Sequence, residues 1–168
     1  AIVMKDIKPS VKDEDGFCGE TAAGPGAFVV FGASGDLAQK KLLIGLFKLF
    51  TEKLLSDSFY LLGCGRKDFS DEDFRTKAKE SLRDNSDFLP AKQLDDFVSG
   101  IYYIEGNYDD ASLYERIASR VAELNRKHNV FENLIFYLAV PPLLYTTIVE
   151  HLSSAGLACT KPPGEAQQ

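Results

Sequence analysis

The chain has 168 residues, of which 45% are hydrophobic and 26% charged, proportions typical of a globular protein with a sizeable core. Its net charge of −6 argues against nucleic acid as a partner, because a phosphate backbone binds basic surfaces. No apolar run approaches the roughly 18–20 residues that span a bilayer, and no secretory signal is evident, so we expect a cytoplasmic protein without membrane contact.

The first predicted strand follows a segment with few large apolar residues. Residues 1–26 end in a stretch rich in Ala, Gly and Pro, and we expect them to form a flexible N-terminal arm. The apolar run 28–31 predicts a strand buried on both faces, as in a parallel sheet. A helical pattern extends over 36–55, where Asp36 and Gln39 are spaced for a capping box.

Strands and helices then alternate along the chain. Strands are predicted at 59–64, 101–104 and 134–140, and helices at 70–83, from 90, from Asp109 or Asp110, and at 143–152. This alternation favours an α/β fold, a Rossmann-like doubly wound parallel sheet with helices on both faces. We assign this domain to 27–158 and expect a loop or disordered tail over 159–168.

The loop after the first apolar strand carries the strongest functional signal. Gly32 can make the sharp turn, Gly35 lets a pyrophosphate approach the backbone, and Ala38 lets the helix pack on the strand. The helix N-terminus adds free N–H groups for the anion. The spacing G-x-x-G-x-x-A is not the commonest fingerprint, so a purely structural turn is the alternative to dinucleotide binding.

The end of the second strand bears on the choice between NAD and NADP. NAD-binding domains usually have an acidic residue there, whereas this chain has Arg66 and Lys67. Two cations suit a 2′-phosphate, to which a charge-assisted contact contributes about 1.5–3 kcal/mol. Ser34 is a second candidate partner for this phosphate, and a solvated Arg66 beside Asp68 is the alternative.

Several other residues have both a functional and a plain interpretation. An anion beside Lys40 and Lys41 would offset their conflict with the helix dipole, but two solvated helix lysines fit the pattern better. Pro141 and Pro142 end the fourth strand at the edge where doubly wound sheets bind ligands. Tyr145 then either lies over a nicotinamide ribose or packs in the core.

The histidines and cysteines indicate neither catalysis nor metal binding. His128 and His151 lie on predicted helices without an evident partner, and we expect both to be structural. Cys18, Cys64 and Cys159 lack CxxC spacing, which argues against a disulfide framework or a zinc site. We expect Cys64 to act as a small apolar residue at a strand end.

Taken together, four blocks of sequence resemble glucose-6-phosphate dehydrogenase over about residues 28–157. In the family's order they are GASGDLA with a following Lys-Lys pair at 32–41, GCGR at 63–66, NYDD at 107–110 and FYLAVPPLLY at 136–145. The resemblance implies that NADP contacts Gly32, Ala33, Ser34, Gly35, Asp36, Leu37, Arg66, Ala139, Pro141, Pro142 and Tyr145. It places Ser34 and Arg66 near the 2′-phosphate and makes Lys41 a contact to the substrate's phosphate. Gln39 is a departure, because the family usually has lysine there.

The resemblance also implies segments without a counterpart in this sequence. The family's Glu-Lys-Pro strand end and its Arg-Ile-Asp-His-Tyr-Leu-Gly-Lys-Glu segment, which carries the catalytic histidine, do not occur. We therefore expect a coenzyme domain truncated before the family's second α+β domain, with no catalytic residue and no metal.

The implied parent enzyme is a cytoplasmic homo-oligomer of the pentose phosphate pathway that converts glucose 6-phosphate to 6-phosphogluconolactone and reduces NADP. A non-catalytic NADP-binding or sensing module is the first alternative. A reductase of another family is disfavoured because Tyr145 has no lysine four residues on. The glycine loop and Arg66 disfavour a purely structural interaction domain.

Overall fold

A computed structural model describes residues 2–5, 26–85, 89–130 and 134–158. One sheet contains the five strands β1 (Ile2–Lys5), β2 (Ala27–Phe31), β3 (Tyr60–Gly65), β4 (Ile101–Glu105) and β5 (Leu134–Leu138). Their order across the sheet is β1-β5-β2-β3-β4. The last four run parallel to one another, whereas β1 pairs antiparallel with β5. The predicted parallel α/β class is therefore confirmed.

Helices cover both faces of this sheet. They are α1 (Leu43–Thr51), α2 (Asp71–Asp84), α3 (Ala91–Ser99), α4 (Ala111–His128) and α5 (Tyr145–Ser154). A π-helical turn (Ala38–Leu42) precedes α1, and a 3-10 turn (Pro142–Leu144) precedes α5. Apolar residues of α1, α2 and α3 bury one face of the sheet, and those of α4 and α5 bury the other. The fold is thus doubly wound, as predicted.

Two predicted boundaries are wrong. The helix after the glycine loop ends at Thr51 and not near residue 55, because the chain turns at Lys53, which adopts the left-handed conformation with φ 57°. The fourth parallel strand ends at Leu138 and not at residue 140. Pro141 and Pro142 follow closely and have no N–H with which to extend the ladder.

The flexible arm predicted over 1–26 is wrong for its first residues. Ile2–Lys5 forms β1, whose register pairs Ile2 with Tyr137 and Lys5 with Leu134. This pairing gives hydrogen-bond partners to N–H and C=O groups at the edge of β5 that would otherwise have none in the sheet. The sequence pattern of residues 2–5 does not indicate it, because the partner strand is distant in sequence. Residues 6–25 and the predicted tail 159–168, with Cys18 and Cys159, lie outside the described residues.

Side-chain caps fix the helices that flank the site. Ser70 and Asp73 form a reciprocal capping box at the start of α2. In the first turn of α2, one Asp71 carboxylate oxygen accepts the backbone N–H of Tyr103 in β4 at 2.8 Å. Asp110 caps α4 by accepting the N–H of Ser112 at 2.9 Å. These caps confirm the predicted starts of α2 and α4 and tie α2 to the sheet.

Candidate functional site

The candidate site is the crevice at the carboxyl ends of β2 and β5. The strand order reverses there, because β2 pairs with β3 on one side and with β5 on the other. The helices that follow β2 and β5 pack on opposite faces of the sheet. Open α/β sheets bind their ligands at such a reversal. The glycine loop leaves β2 on one side of the crevice, and the Pro141–Pro142 turn leaves β5 on the other.

Gly32 joins the two sides of the crevice. It adopts φ +78°, and a Cβ built on it would lie 2.2 Å from the carbonyl oxygen of Ala139. Its N–H donates to the carbonyl of Cys64 at 2.9 Å and to the hydroxyl oxygen of Tyr108 at 3.0 Å. Only glycine fits this position, and its N–H is already engaged within the protein.

Gly35 has a different role, because it is exposed and lies at the start of the helix. The nearest neighbour of a Cβ built on it would be the carbonyl oxygen of Gly32 at 3.2 Å. In the hydrogen-bond network of the described residues, the N–H groups of Ser34, Asp36 and Leu37 have no acceptor. The loop therefore presents free donors at a helix N-terminus, which is the chemistry that binds a pyrophosphate.

Ala33 and Gln39 form the underside of this loop. Ala33 is buried, and a Cβ built on Gly63 would lie only 2.8 Å from the Cβ of Ala33. The Gln39 amide donates from Nε2 to the carbonyl of Ala33 at 2.8 Å. The Oε1 atom of Gln39 is buried and is the one buried side-chain polar atom without a hydrogen-bond partner in the described part of the chain. Ala33 thus contributes packing and backbone to the loop.

The capping box predicted for Asp36 and Gln39 is wrong. The Gln39 side chain turns inward to the carbonyl of Ala33 and cannot reach back to the helix start. The Asp36 carboxylate caps nothing and lies 3.6 Å from the ammonium of Lys40, one turn later. The first turn of this helix therefore keeps its N–H groups free, which a capping side chain would have occupied.

Arg66 and Ser34 lie on the β3 side of the loop. Arg66 is exposed, and within the described ranges no carboxylate lies within 4.0 Å of its guanidinium. Ser34 Oγ lies 3.2 Å from the position that a Cβ on Gly65 would take. Burial raises the pKa of the Tyr108 hydroxyl, and the charge of Arg66 lowers it in part. The structure therefore brings Ser34 and Arg66 to one strand end.

The β5 side of the crevice is more open. Pro141 and Pro142 are exposed, and Leu143 is 83% exposed. Tyr145 is half-buried against the core on the α4 and α5 face, and Ala139 is half-buried beside Gly32. The structure thus shows Tyr145 packed against the core with part of its side chain exposed, and its place over a nicotinamide ribose stays a prediction.

Lys41 lies apart from Ser34 and Arg66. It is exposed on the π-helical turn, beside an apolar groove. The groove is lined by Leu37, Lys41, Leu42, Gly45, Leu46, Leu49 and Tyr137. Its ammonium has no ion-pair partner in the part of the chain that the structure describes. A single exposed cation beside apolar side chains can attract a phosphate only weakly in water.

Both histidines contact aromatic side chains. His128 Nε2 lies 2.8 Å from the hydroxyl oxygen of Tyr102, and its ring packs against Tyr60. The ring of His151 stacks on Tyr114 at 4.7 Å between centroids. Cys64 is buried in β3, where burial raises the pKa of its thiol to about 12. The described residues contain no group of His, Cys, Asp and Glu that could hold a metal ion.

Tyr108 is the main residue to which sequence reasoning assigned no role. Its hydroxyl oxygen accepts the first N–H of the glycine loop, and its backbone carbonyl accepts the hydroxyl of Tyr114 at 2.6 Å. It stands in the NYDD block, but no local spacing connects it with Gly32, 76 residues away.

No described helix is long and apolar enough to cross a membrane.

The chain is similar to known proteins in its sequence. Residues 29–166 match the family model described as glucose-6-phosphate dehydrogenase, NAD binding domain. Glucose-6-phosphate 1-dehydrogenase of Treponema pallidum (strain Nichols) is 36% identical over 137 residues, which are 80% of this chain and 27% of that protein. The enzyme of Cyberlindnera jadinii is 38% identical over 125 residues, 74% of this chain and 24% of that protein.

A solved structure gives the same result. Glucose-6-phosphate dehydrogenase in complex with its substrate glucose-6-phosphate matches with a TM-score of 0.71 and 29% identity. The match covers 79% of this chain and 28% of that one. The chain therefore spans about a quarter of the length of the relatives it matches.

Proposed function

This chain belongs to the glucose-6-phosphate dehydrogenase family, and from that premise we propose that it binds NADP as the coenzyme-binding part of an enzyme that oxidises glucose 6-phosphate. The observation that carries the proposal is the glycine loop, whose N–H groups at Ser34, Asp36 and Leu37 are free within the described structure. A nicotinamide dinucleotide supplies the pyrophosphate that such a loop binds.

The proposed orientation places the two halves of the dinucleotide on opposite sides of the glycine loop. Gly35 leaves the approach to the loop open, because a Cβ there would have only one heavy atom within 4 Å. The adenosine half would lie toward β3, beside Ser34 and Arg66. The nicotinamide half would lie toward β5, beside Ala139, Pro141, Pro142 and Tyr145. The sheet supports two separate sides, since β3 and β5 flank β2 on opposite sides, and the proposed role of Arg66 sets the direction.

Arg66 supports NADP over NAD. Its guanidinium is exposed and has no carboxylate within 4.0 Å in the described ranges, so it is available to a 2′-phosphate. The hydroxyl of Ser34 is at the same strand end, where it is hydrogen-bonded to the Tyr103 hydroxyl, and it would turn from that partner to donate to the phosphate. Lys67 adds a second exposed cation. The backbone carbonyl of Lys67 accepts the Tyr103 hydroxyl at 2.7 Å, which fixes the backbone at this position. An unpaired Arg that meets a phosphate forms one of the stronger polar contacts in proteins.

The reaction that we propose for the parent enzyme is the first oxidative step of the pentose phosphate pathway, carried out in the cytoplasm by a homo-oligomer. The glycine loop and Arg66 would hold the dinucleotide, which when bound would supply the hydride acceptor for oxidation of the sugar at its anomeric carbon to 6-phosphogluconolactone. The residues of this chain orient the dinucleotide at the sheet edge, and Lys41 attracts the phosphate of the sugar. The family's base is a histidine in a segment that this sequence does not contain.

A non-catalytic NADP-binding module is the second candidate. It is favoured by the positions of His128 and His151, which contact Tyr102 and Tyr114 on the α4 and α5 face. Both candidates require the same cofactor site. They differ in turnover alone.

Calorimetric titration of NADP and NAD into the purified chain tests the proposal. We expect saturable binding of both, with NADP bound about tenfold to a hundredfold more tightly, because one charge-assisted phosphate contact contributes about 1.5–3 kcal/mol. Equal affinities would contradict the role of Arg66. The absence of binding by both cofactors would contradict the dinucleotide site itself.

A further inference from the structure

We propose that Lys77 is a second cation for the 2′-phosphate of NADP and that it acts with Arg66 in discriminating against NAD. The inference rests on the proposed function, because it concerns the same phosphate. Lys77 is on α2, outside the four sequence blocks by which the family is recognised.

Lys77 lines a pocket that also contains Ser34. The pocket has a volume of about 210 Å³ and lies between the glycine loop and α2. Its lining residues are Ser34, Asp36, Gln39, Lys40, Lys77, Glu80, Ser81, Asp84 and Asn85. We place the 2′-phosphate at Ser34, so an anion bound there lies beside a pocket whose wall includes Lys77.

Packing fixes the position of Lys77 relative to the loop. Phe74 lies so close over β3 that a Cβ on Gly63 would be 2.9 Å from its ring. Lys77 follows Phe74 by three residues, which places both on the same side of α2. One turn further on, the hydroxyl of Ser81 donates to the backbone carbonyl of Gln39 at 2.7 Å. The helix is therefore held against the loop on either side of Lys77.

The charge of Lys77 is available to a ligand. Its ammonium lies 6.0 Å from the centre of the Phe69 ring and, within the described ranges, more than 4.0 Å from every carboxylate. Lys40, the other cation of the pocket, is instead paired with Asp36 at 3.6 Å. Side-chain entropy lost on binding is also reduced, because Lys77 is already half-buried.

Gln39 forms a buried part of the pocket wall. It is only 5% exposed, and its amide donates from Nε2 to the carbonyl of Ala33 at 2.8 Å. The loop backbone next to Ser34 is therefore held in place on the side that faces α2.

The acidic residues of the pocket make the cation necessary. Glu80 and Asp84 line the same space and repel a phosphate dianion. Arg66, at the strand end, would have to overcome this repulsion alone if Lys77 were absent. A substitution at Glu80 therefore provides a test of opposite sign.

The experiment measures the affinities of the whole chain for NADP and NAD by calorimetry in Lys77→Gln and Glu80→Gln. We expect Lys77→Gln to weaken NADP by about threefold to tenfold and to leave NAD unchanged, as for a partly exposed charge contact to a phosphate. Glu80→Gln should tighten NADP by a smaller factor. Lys48→Gln is the matched control, because Lys48 is exposed on α1, outside this pocket, and its loss changes the net charge equally.

The outcomes separate this inference from the proposed function. If wild type prefers NADP, and Arg66→Ala lowers that preference while Lys77→Gln does not, Lys77 has no role and the proposed function stands. If wild type binds both cofactors equally, the 2′-phosphate site itself is wrong and the inference fails with it. Equal weakening of NADP and NAD by Lys77→Gln would assign Lys77 to the packing of α2. Lys77→Arg should restore the preference if charge is what matters.

Discussion

The two sides of the glycine loop differ in how much of a site the described residues build. Toward β3, Tyr108 holds the loop and Ser34 lies beside the strand end that carries Arg66. Toward β5, the structure provides exposed apolar surface at Leu143 and a single cation, Lys41, beside an apolar groove. The difference indicates that cofactor binding and chemistry are separable in this fold, because the first needs a preformed loop and the second needs additional groups.

The largest effect that follows is the absence of turnover. A purified 168-residue chain should bind NADP but not reduce it with glucose 6-phosphate at an enzymatic rate. General-base catalysis alone is worth about 10²–10⁴ in rate, and His128 and His151 are engaged by Tyr102 and Tyr114. Absorbance at the NADPH band, with host enzyme excluded by a mock purification, measures this rate. Turnover would indicate a base on the β5 side, and the β3 and β5 sides of the glycine loop would then no longer differ in completeness.

The next effect separates the two loop glycines. Gly32→Ala should lower the free energy of unfolding by about 2–4 kcal/mol, because its Cβ would meet the carbonyl of Ala139 and its φ is positive. Gly35→Ala should cost less, about 1 kcal/mol, because its exposed Cβ would press only on the carbonyl oxygen of Gly32 at 3.2 Å. Urea unfolding of both variants measures the difference.

Gly35→Val extends that comparison to binding. It should weaken NADP and NAD together, because a branched side chain would occupy the approach of the pyrophosphate. Circular dichroism establishes whether the fold is intact. Unaltered affinity in a folded Gly35→Val chain would place the phosphates elsewhere.

A smaller effect tests the β3 side alone. Arg66→Ala should reduce NADP binding by about 1.5–3 kcal/mol and leave NAD binding unchanged, because only NADP carries the 2′-phosphate. Arg83→Ala on the exposed end of α2 is a control with the same loss of charge. If both variants lose the same affinity, the effect of Arg66 is one of net charge and not of contact.

The smallest effect is a pH dependence far from the crevice. Burial lowers the pKa of His128, and the charges of Lys127 and Arg75 lower it further. The unfolded chain therefore binds a proton more readily, with a usual pKa of about 6.5, so stability should fall as the pH drops below that value. Urea unfolding between pH 7.5 and 5.5 measures this loss. It should be smaller in His128→Gln, and identical slopes would exclude His128 as the source.

Acidic groups do not confound that measurement. The carboxyls whose pKa is lowered start from an ordinary value of 3.8 and titrate below it. They are Asp73, Asp95 and Asp110, each hydrogen-bonded to a serine or a lysine. Their contribution to stability is present above pH 3.8 and is lost only as the pH falls further.

Local chemistry explains which features were predictable from sequence. The glycine loop and the caps at Ser70 and Asp110 depend on residues within six positions of each other, so their signals are visible in the sequence. The contact of Tyr108 with Gly32 and the pocket that joins Lys77 to Ser34 depend on tertiary packing between distant segments. No periodicity connects such residues, and these contacts became visible only with the fold.

The same reasoning explains the wrong predictions. Ile2–Lys5 has no neighbouring turn or repeat that marks it as a strand, and its state depends on the edge of β5. The π-helical turn Ala38–Leu42 reads as ordinary helix in the sequence, because the apolar spacing continues through it. Asp36 and Gln39 have the spacing of a capping box, but burial of Gln39 under the loop overrides it.

The central claim, a complete cofactor side and an incomplete substrate side, is tested most directly by sequential calorimetry on the wild-type chain. NADP is titrated first, and glucose 6-phosphate is then titrated into the NADP-saturated protein. We predict saturable heat for NADP and no saturable heat for glucose 6-phosphate up to millimolar concentration, because Lys41 is a single exposed charge. No binding of NADP, or saturable binding of the sugar phosphate, would contradict this account.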